Sequence, residues 1–278
     1  MLGQQILRKL SYVPVVRRAV IAIGLRSFAQ RVYERRFAPA DGVLRLAYGG
    51  CEAQFATPSI RELRALELFA RGDDEEFRRV LSMVHEDEVF FDIGAQYGVY
   101  SYLIGNSLGA SGRVVAFEPF PRDFALLQRN TELNKSANVL CVNAALSDFD
   151  GEVSMSSSDD AGEICPRIGE KTIGSQSVAA ARGDALIAAG KLPFPNVIKL
   201  DVEGHELAVI RGMAETLGDP RCHSIYCEIH DSMLPPGDDP ETLIAFLRDK
   251  GFNSIKEIPG INHCLFAEKV ATPPGLIN

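Results

Sequence analysis

The feature that most constrains the fold is a change of rhythm at Val89, after which short apolar runs alternate with helical patterns. Continuous apolar strands separated by amphipathic helices are typical of a parallel sheet that helices cover on both faces. The pattern predicts strands at 89–92, 114–118, 139–143, 196–201, 224–230, 253–257 and 264–268. It predicts helices at 98–108, 121–134, 205–217 and 240–250, with a weaker one at 183–190. The chain is therefore expected to be an α/β protein.

Two connections depart from this alternation. Residues 147–195 are too long for a plain connection and include a polar stretch at 156–166, so we expect a hairpin and a loop near the ligand. Only P-G-I-N, residues 259–262, separates the last two strands. Because no helix fits between them, these two strands should form an antiparallel hairpin at one end of the sheet.

The segment before the alternation is predicted to be a separate N-terminal extension. Alternating apolar residues on both sides of Gly49 and Gly50 indicate a hairpin. The capping-box spacing that starts at Ser59 predicts a helix, and a second helix follows it. We therefore divide the chain into an N-terminal region at 1–87, which packs on the core, and a main domain at 88–278.

The first 38 residues differ in charge from the rest of the chain. They carry eight basic residues and one acidic residue, although the net charge of the whole chain is −8. A basic helix at 3–37 could make peripheral contact with an anionic membrane. The alternative is a helix that docks on the body of the protein and exposes its arginines to water.

Composition places the chain among soluble globular proteins, with 46% hydrophobic and 24% charged residues. An acidic body argues against nucleic acid as the main partner. The six cysteines form no C-x-x-C pair, which favours reduced thiols in the cytosol over a zinc ribbon or a redox pair. Because no apolar run approaches the ~20 residues that span a bilayer, and because the run at 19–25 is not a signal-peptide core, we expect a cytoplasmic protein.

The turn after the first strand of the main domain indicates the ligand. It reads D-x-G-x-x-x-G from Asp92, where dinucleotide folds carry G-x-G-x-x-G to cradle a pyrophosphate. The carboxylate of Asp92 would repel phosphate and attract an amine or a sulfonium, and Gly94 and Gly98 let the backbone approach a ligand. The second strand ends in F-E-P, where Glu118 could accept hydrogen bonds from both hydroxyls of a ribose. A nucleoside joined to a cationic amino acid is S-adenosylmethionine.

Five motifs follow one another along the main domain. They are D-I-G-A-Q-Y-G at 92–98, F-E-P at 117–119, A-L-S-D at 145–148, I-K-L-D-V-E-G-H-E at 198–206 and C-E-I-H at 227–230. In this order they resemble the FkbM family of S-adenosylmethionine-dependent methyltransferases over about residues 88–270, and D-V-E-G-x-E is the most specific element. The resemblance implies a class I fold with a Rossmann-like, mostly parallel sheet of seven strands. It also implies O-methylation of a sugar, glycan, lipid or polyketide-type metabolite.

Carried onto this sequence, the resemblance implies a cofactor site at the ends of the first strands. Its residues would be Asp92, Gly94, Ala95, Gln96, Tyr97, Gly98, Glu118, Pro119, Asn143, Ala144, Ala145 and Asp201. The first turn would border the methionine part, Glu118 would bind the ribose, and 143–145 would border the adenine, mainly through backbone. Gln96 stands where the family often has Asn, so the amide is retained with one more methylene.

Candidate catalytic residues follow the fourth and fifth strands. They are His230, Asp201 and Glu203. Methyl transfer from a sulfonium depends chiefly on holding donor and acceptor together, and a hydroxyl acceptor gains from a base. His230 is the first choice for that base because imidazole titrates near neutral pH; the alternative is a hydrogen-bonded structural histidine. Asp201 and Glu203 would position the substrate or the cofactor.

A divalent metal is a further alternative for this group of side chains. Asp201, Glu203, Glu228 and His230 offer oxygen and nitrogen ligands. Because methyl transfer does not need a metal, we assign none.

Two other functions compete with methyl transfer. One is a nicotinamide-dependent oxidoreductase on a similar sheet, against which the missing G-x-G-x-x-G and the acid in the turn both count. The other is a non-catalytic membrane-surface protein that keeps a relic cofactor pocket. Several carboxylates retained in one crevice count against it, because unpaired buried charges are costly without a ligand. We expect the partner to be a hydroxyl-bearing small molecule or glycan.

Overall fold

The computed structural model describes residues 38–70, 74–156, 167–168, 175–258 and 263–270. The predicted basic helix at 3–37, most of the polar stretch at 156–166 and the turn at 259–262 lie outside the described residues. No helix in the described part of the chain is long and apolar enough to cross a membrane.

Backbone packing divides the chain into two compact units, one formed by Met1–Leu44 and Ala56–Phe69 and the other by Arg45–Phe55 and Ala70–Asn278. The strands are β1 Val43–Tyr48, β2 Cys51–Ala56, β3 Val89–Ile93, β4 Arg113–Phe117, β5 Val139–Val142, β6 Ala145–Leu146, β7 Gly151–Ser156, β8 Arg167–Ile168, β9 Gln176–Ala181, β10 Val197–Leu200, β11 Ser224–Ile229, β12 Ser254–Ile258 and β13 His263–Glu268. The helices are α1 Ile60–Ala70, α2 Asp74–Ser82, α3 Val99–Gly105, α4 Pro121–Asn134, α5 Gly183–Ala188, α6 Glu206–Arg211, α7 Ala214–Gly218 and α8 Pro240–Asp249. A short 3₁₀ turn covers Asp231–Met233.

The smaller unit is stabilised by local capping. Ser59 Oγ donates to the Glu62 carboxylate in the predicted capping box. Leu63 and Leu66 on α1 are buried. The hairpin, most of which belongs to the larger unit, is confirmed as predicted: β1 pairs with β2, and Gly49 and Gly50 take φ values of 61° and 86°, as a tight hairpin turn requires.

The larger unit is built on one seven-stranded sheet with the order β12-β13-β11-β10-β3-β4-β5. Strands β11, β10, β3, β4 and β5 run parallel to one another, and β13 is antiparallel to both β11 and β12. The predicted class I fold is therefore confirmed, including the antiparallel hairpin at the end of the chain. In this topology the carboxyl ends of β3, β4, β5, β10 and β11 meet at one edge of the sheet, where open parallel sheets bind ligands.

The connection at 147–195 forms a second sheet, which is more than the hairpin that we expected. Its order is β6-β9-β7-β8, with β7 antiparallel to β8 and β9. The two-residue strand β6 pairs in parallel with β9, which lies 30 residues further along the chain. Such a pairing has no local signal, because the partners are brought together by the rest of the fold.

One continuous helix was predicted at 205–217, and this prediction was wrong because the structure has two helices there, α6 and α7. The break lies at Gly212, where a Cβ would stand 1.8 Å from the carbonyl oxygen of Ser147. The chain therefore bends where a non-local backbone contact leaves no room for a side chain.

Alternation along β3 and β10 divides the sheet into two faces. Phe91, Ile93, Ile198 and Leu200 belong to the main hydrophobic core. The residues between them include Asp92 and Lys199, which are paired in register on neighbouring strands. The opposite face of the sheet thus carries buried charge next to the expected ligand edge.

Candidate active site

Lys199 joins the two strands at the centre of the site. Its Nζ lies 3.0 Å from the carbonyl oxygen of Gly94, 3.3 Å from Asp92 Oδ1 and 3.2 Å from Asp201 Oδ2. Although burial alone would lower the pKa of Lys199, the carboxylates of Asp201 and Asp92 raise it above its usual range. The lysine is therefore a buried cation that ties the turn after β3 to the end of β10.

Asp92 is more completely buried than the sequence indicated, with 1% of its side chain exposed. Ser101 Oγ on α3 donates to Asp92 Oδ2 at 2.6 Å. Asp92 Oδ1 is close to Lys199 Nζ, but the geometry does not make a hydrogen bond, and this oxygen has no hydrogen-bond partner among the residues that the structure describes. A buried carboxylate oxygen that still lacks a donor fits the ammonium of an amino acid ligand.

The glycines of the first turn make room for protein atoms. A Cβ on Gly94, whose φ is 81°, would stand 1.8 Å from the Asp201 carbonyl oxygen. A Cβ on Gly98, whose φ is 82°, would stand 2.3 Å from the Tyr102 ring and 2.6 Å from Leu127. The sequence analysis explained both glycines by the approach of a ligand, whereas in the structure their first requirement is the packing of the turn against β10 and the helices.

The same turn is held on the neighbouring strand by its backbone amides. The N–H groups of Gly94 and Ala95 donate to the Phe117 carbonyl at 3.1 and 2.9 Å. Gln96 has φ of 51°, an uncommon conformation for a residue other than glycine, and its N–H donates to Glu118 Oε2 at 2.9 Å. The Tyr97 side chain is 2% exposed. The predicted methionine-binding residues thus form one rigid turn.

Glu118 stands at the end of β4 with its carboxylate fixed from both sides. Its Oε2 accepts from Gln96, and its Oε1 accepts from the N–H of Phe120 at 2.8 Å. Burial, and then the nearby Asp123, raises the pKa of Glu118 to about 8. Each oxygen accepts one backbone hydrogen bond and retains a lone pair, so the carboxyl group is oriented to take a pair of hydroxyls. This arrangement fits a ribose.

The end of β5 is tied to the end of β4 through Asn143. Its Nδ2 donates to the carbonyl oxygens of Glu118 at 2.8 Å and Pro119 at 3.0 Å. Ala144 and Ala145 follow with 9% and 4% exposure, and Ala145 begins β6. The structure therefore brings the residues predicted for the cofactor together at adjacent strand ends.

His230 lies directly after β11 and faces four carboxylates. Its Nε2 is 3.8 Å from Asp201 Oδ1, 3.6 Å from Glu203 Oε2 and 3.7 Å from Glu228 Oε1. Its Nδ1 is 2.7 Å from Glu206 Oε1. The convergence that the sequence predicted for Asp201, Glu203, Glu228 and His230 is confirmed; their chemical roles stay predictions.

Glu206 is the last residue of the D-V-E-G-x-E motif, and no role was predicted for it from the sequence. It is fully buried, and its Oε1 also accepts from the N–H of Gly204 at 3.0 Å. Because a carboxylate is an acceptor, its contact assigns the Nδ1 proton of His230 and leaves Nε2 to face the other carboxylates. Its place in D-V-E-G-x-E marked the residue, but no local pattern indicated His230 as its partner.

The excess of carboxylates changes how the site titrates. Burial lowers the pKa of His230, but the hydrogen bond to Glu206 and the charges of Asp201 and Glu203 raise it to about 9. Burial and the charge of Asp201 raise the pKa of Glu228 to about 8, although His230 and Lys199 oppose that change. His230 and Glu228 therefore carry protons at neutral pH.

Two backbone features fix the loop that carries Glu203. Glu203 has φ of 53°, which is uncommon outside glycine and often found at functional sites. A Cβ on the next residue, Gly204, would stand 2.4 Å from the Met233 carbonyl oxygen. The turn after β10 and the 3₁₀ turn after His230 are therefore in direct contact.

His205, the residue before α6, contacts the chain that follows β6. Its Nε2 lies 3.0 Å from Ser147 Oγ, and burial lowers its pKa. Ligand atoms of Asp201, Glu203 and His230 lie within 4.8 Å of one another, which is a spacing that a divalent cation could bridge. The metal alternative keeps its geometric basis and stays an untested prediction.

Comparison with known sequences gives a consistent result. Residues 92–254 match a family model described as the methyltransferase FkbM domain. The chain is 31% identical over 201 residues to "Hexuronic acid methyltransferase AglP" of Haloferax volcanii, which covers 72% of this chain and 77% of that protein. It is 25% identical over 194 residues to "Methyltransferase 1" of Beauveria bassiana, covering 63% of this chain and 76% of that protein.

Solved structures also resemble the chain at low sequence identity. A precorrin-6y C5,15-methyltransferase from Geobacter metallireducens has a TM-score of 0.45 and 16% identity, covering 71% of this chain and 89% of that chain. The M. jannaschii TYW2 structure in complex with AdoMet has a TM-score of 0.41 and 15% identity, covering 82% and 85%.

Proposed function

The chain belongs to the FkbM family of S-adenosylmethionine-dependent methyltransferases, and from this premise we propose that it transfers the methyl group to a hydroxyl of a sugar. The observation that carries the proposal is the cluster of Asp201, Glu203, Glu228 and His230 beside the turn that follows β3. We call this group the acceptor cluster. It presents hydrogen-bond acceptors and one imidazole to the expected position of the methyl acceptor.

The donor half of the proposal rests on the ends of β3, β4 and β5. S-adenosylmethionine, when bound, supplies a methyl group on a cationic sulfur that leaves readily. Asp92 and the turn from Gly94 to Gly98 would hold the amino acid part, Glu118 would bind the ribose hydroxyls, and Asn143 would border the adenine. These residues would fix the donor, so that the reaction depends on the position of the acceptor.

The acceptor half rests on His230. Its Nδ1–H donates to Glu206, so its Nε2 is the nitrogen available to a substrate hydroxyl. In the ligand-free protein the carboxylates keep the imidazole protonated near neutral pH. His230 would act as a base from its neutral form, and Glu203 and Asp201 would orient the hydroxyl by accepting hydrogen bonds.

A sugar is the acceptor class that we favour among those implied by the family. A curated relative at 31% identity is named for a hexuronic acid, which is a sugar acid. Carboxylates at the acceptor cluster suit a ligand with several hydroxyl donors. Membership of a methyltransferase family disfavours both the nicotinamide-dependent oxidoreductase and the non-catalytic protein.

Methyl transfer to a panel of glycosides tests the proposal. Purified protein is incubated with isotopically labelled S-adenosylmethionine and neutral hexopyranosides, and the products are identified by mass spectrometry. The proposal predicts a methylated glycoside whose label survives mild alkali, because a methyl ether is stable where a methyl ester is not. Binding of NAD in calorimetry without binding of S-adenosylhomocysteine would contradict it.

A further inference from the structure

The charge of the acceptor cluster bears on which sugars the enzyme accepts. We infer that the acceptor cluster selects a sugar that is neutral or cationic and rejects the uronate form of the same sugar. This inference rests on the proposed function and adds to it the charge of the substrate.

The exposed part of the acceptor cluster is acidic. Side-chain exposure is 29% for Asp201, 21% for Glu203 and 16% for Glu228, against 13% for His230. A ligand that enters therefore meets the carboxyl groups of three side chains, each 3.6–3.8 Å from Nε2 of His230. An additional carboxylate would lie close to several like charges in a partly desolvated crevice.

In the described part of the chain, the cations shown beside these carboxylates are Lys199 and His230, and both already have partners. Lys199 is 5% exposed, and its Nζ lies against Asp92, Asp201 and the Gly94 carbonyl. The Nδ1–H of His230 is taken by the buried Glu206, and its Nε2 lies 3.6–3.8 Å from the carboxyl groups of Asp201, Glu203 and Glu228. Neither side chain presents a bidentate pair of donors of the kind that binds a substrate carboxylate.

Hydrogen-bond chemistry points in the same direction as charge. Ionised carboxylates accept hydrogen bonds and donate none. The hydroxyls of a neutral sugar and the ammonium of an amino sugar both supply donors to Asp201 and Glu203. A uronate replaces one hydroxyl donor by a carboxylate that only accepts, so the protein carboxylate that faced this hydroxyl loses its hydrogen bond.

The raised pKa values of His230 and Glu228 agree with this geometry. Burial, and after it the charge of Asp201, raises the pKa of Glu228, whereas the hydrogen bond to Glu206 and the charges of Asp201 and Glu203 raise the pKa of His230 against the effect of burial. The same field that holds these protons would attract a cationic ligand and repel an anionic one.

Matched glycosides separate the outcomes. Methyl glycosides of gluco, galacto and manno configuration are each supplied as the neutral sugar, the 2-amino sugar and the uronate, and kcat/KM is measured with labelled S-adenosylmethionine. We expect the neutral or amino form to exceed the uronate by about tenfold or more. A preferred uronate overturns the inference while methyl transfer to a sugar stands. Transfer to none of the nine overturns the sugar proposal, and the inference with it.

A charge variant gives a second reading on the same enzyme. In Glu203→Gln the ratio of kcat/KM for the uronate to that for the neutral sugar should rise by about tenfold, whatever happens to absolute activity. Asp249→Asn removes one negative charge from a side chain that is 75% exposed and serves as the matched control. An equal ratio in wild type and Glu203→Gln overturns the inference.

Discussion

The proposed active site has a cofactor end and an acceptor end, and the two use carboxylates in opposite ways. At the cofactor end, formed by β3 and β4, Asp92 and Glu118 are 1% and 6% exposed and are bonded to donors of the protein. At the acceptor end, formed by β10 and β11, Asp201, Glu203 and Glu228 are 16–29% exposed around one imidazole. The carboxylates of the cofactor end are therefore held by donors of the protein, whereas the carboxyl groups of the acceptor end are more open to a ligand. Lys199 contacts both ends.

Lys199→Met should have the largest effect, because it removes the cation that the two ends share. Among the described residues, the buried Asp92 would then keep Ser101 as its one partner. Breaking a buried ion pair costs about 3–5 kcal/mol. We expect the free energy of unfolding in urea to fall by that amount. Lys191→Met, at an exposed lysine, is the control and should change it by less than about 0.5 kcal/mol. A loss below about 1 kcal/mol in Lys199→Met would show that the lysine does not join the two ends.

Gly94→Ala should come next, because it forces the cofactor turn away from β10. A Cβ 1.8 Å from the Asp201 carbonyl cannot be accommodated without moving the backbone, and the positive φ adds strain. We expect a loss of about 2–4 kcal/mol in unfolding free energy and weaker binding of S-adenosylhomocysteine. Gly190 also has a positive φ, but a Cβ there would meet no atom of the described residues within 4 Å. Gly190→Ala therefore measures the cost of the backbone conformation alone, about 1–2 kcal/mol. Equal losses in both variants would remove the contact with Asp201 as the reason for glycine.

The acceptor end should make stability depend on pH. The pKa of His230 is raised from 6.5 to about 9, so the folded protein binds this proton more tightly than the unfolded chain. Its contribution is complete below pH 6.5 and is lost as the pH rises through about 9. The groups that hold the proton are Asp201, Glu203, Glu206 and Glu228.

Urea unfolding of wild type and His230→Gln between pH 6 and pH 10 measures this contribution. The difference between the two curves should shrink steadily as the pH rises, since only the wild type carries the titrating imidazole. A difference that is constant across the range would mean that the carboxylates of the acceptor end do not raise the pKa of His230.

Glu118→Gln should have a smaller effect, confined to the cofactor end. The amide places an N–H₂ group against one of the two backbone N–H donors and loses a ribose acceptor, a change of about one hydrogen bond. We expect the Kd for S-adenosylhomocysteine to rise by about tenfold in calorimetry. Glu132→Gln, at an exposed position on α4, should leave it unchanged. An unchanged Kd in Glu118→Gln would move the ribose away from Glu118.

Local patterns predicted the elements of this fold, and non-local contacts account for what they missed. The alternation after Val89 predicted the parallel strands, and the four residues 259–262 were too few for anything but a hairpin. The break at Gly212 depends on the Ser147 carbonyl, 65 residues away in sequence, and no local pattern reports it. The strand β6 has two residues and was invisible for the same reason.

The site divides in a similar way. Strand ends and motif order predicted that Asp201, Glu203, Glu228 and His230 would meet, because parallel strands share one edge. Lys199 was read as one residue of an apolar strand, although a lysine inside I-K-L-D was a signal that a buried partner was needed. Glu206 closes the D-V-E-G-x-E motif, but its contact with His230, 24 residues further along the chain, had no local signal.

The division between a cofactor end and an acceptor end is tested most directly by His230→Ala. Binding of S-adenosylhomocysteine and turnover of a methylated glycoside are measured on the same preparations of wild type and variant. The account predicts a Kd within about twofold of wild type and a turnover lower by about 100-fold or more. An unchanged turnover, or a loss of cofactor affinity by the same factor as turnover, would contradict it.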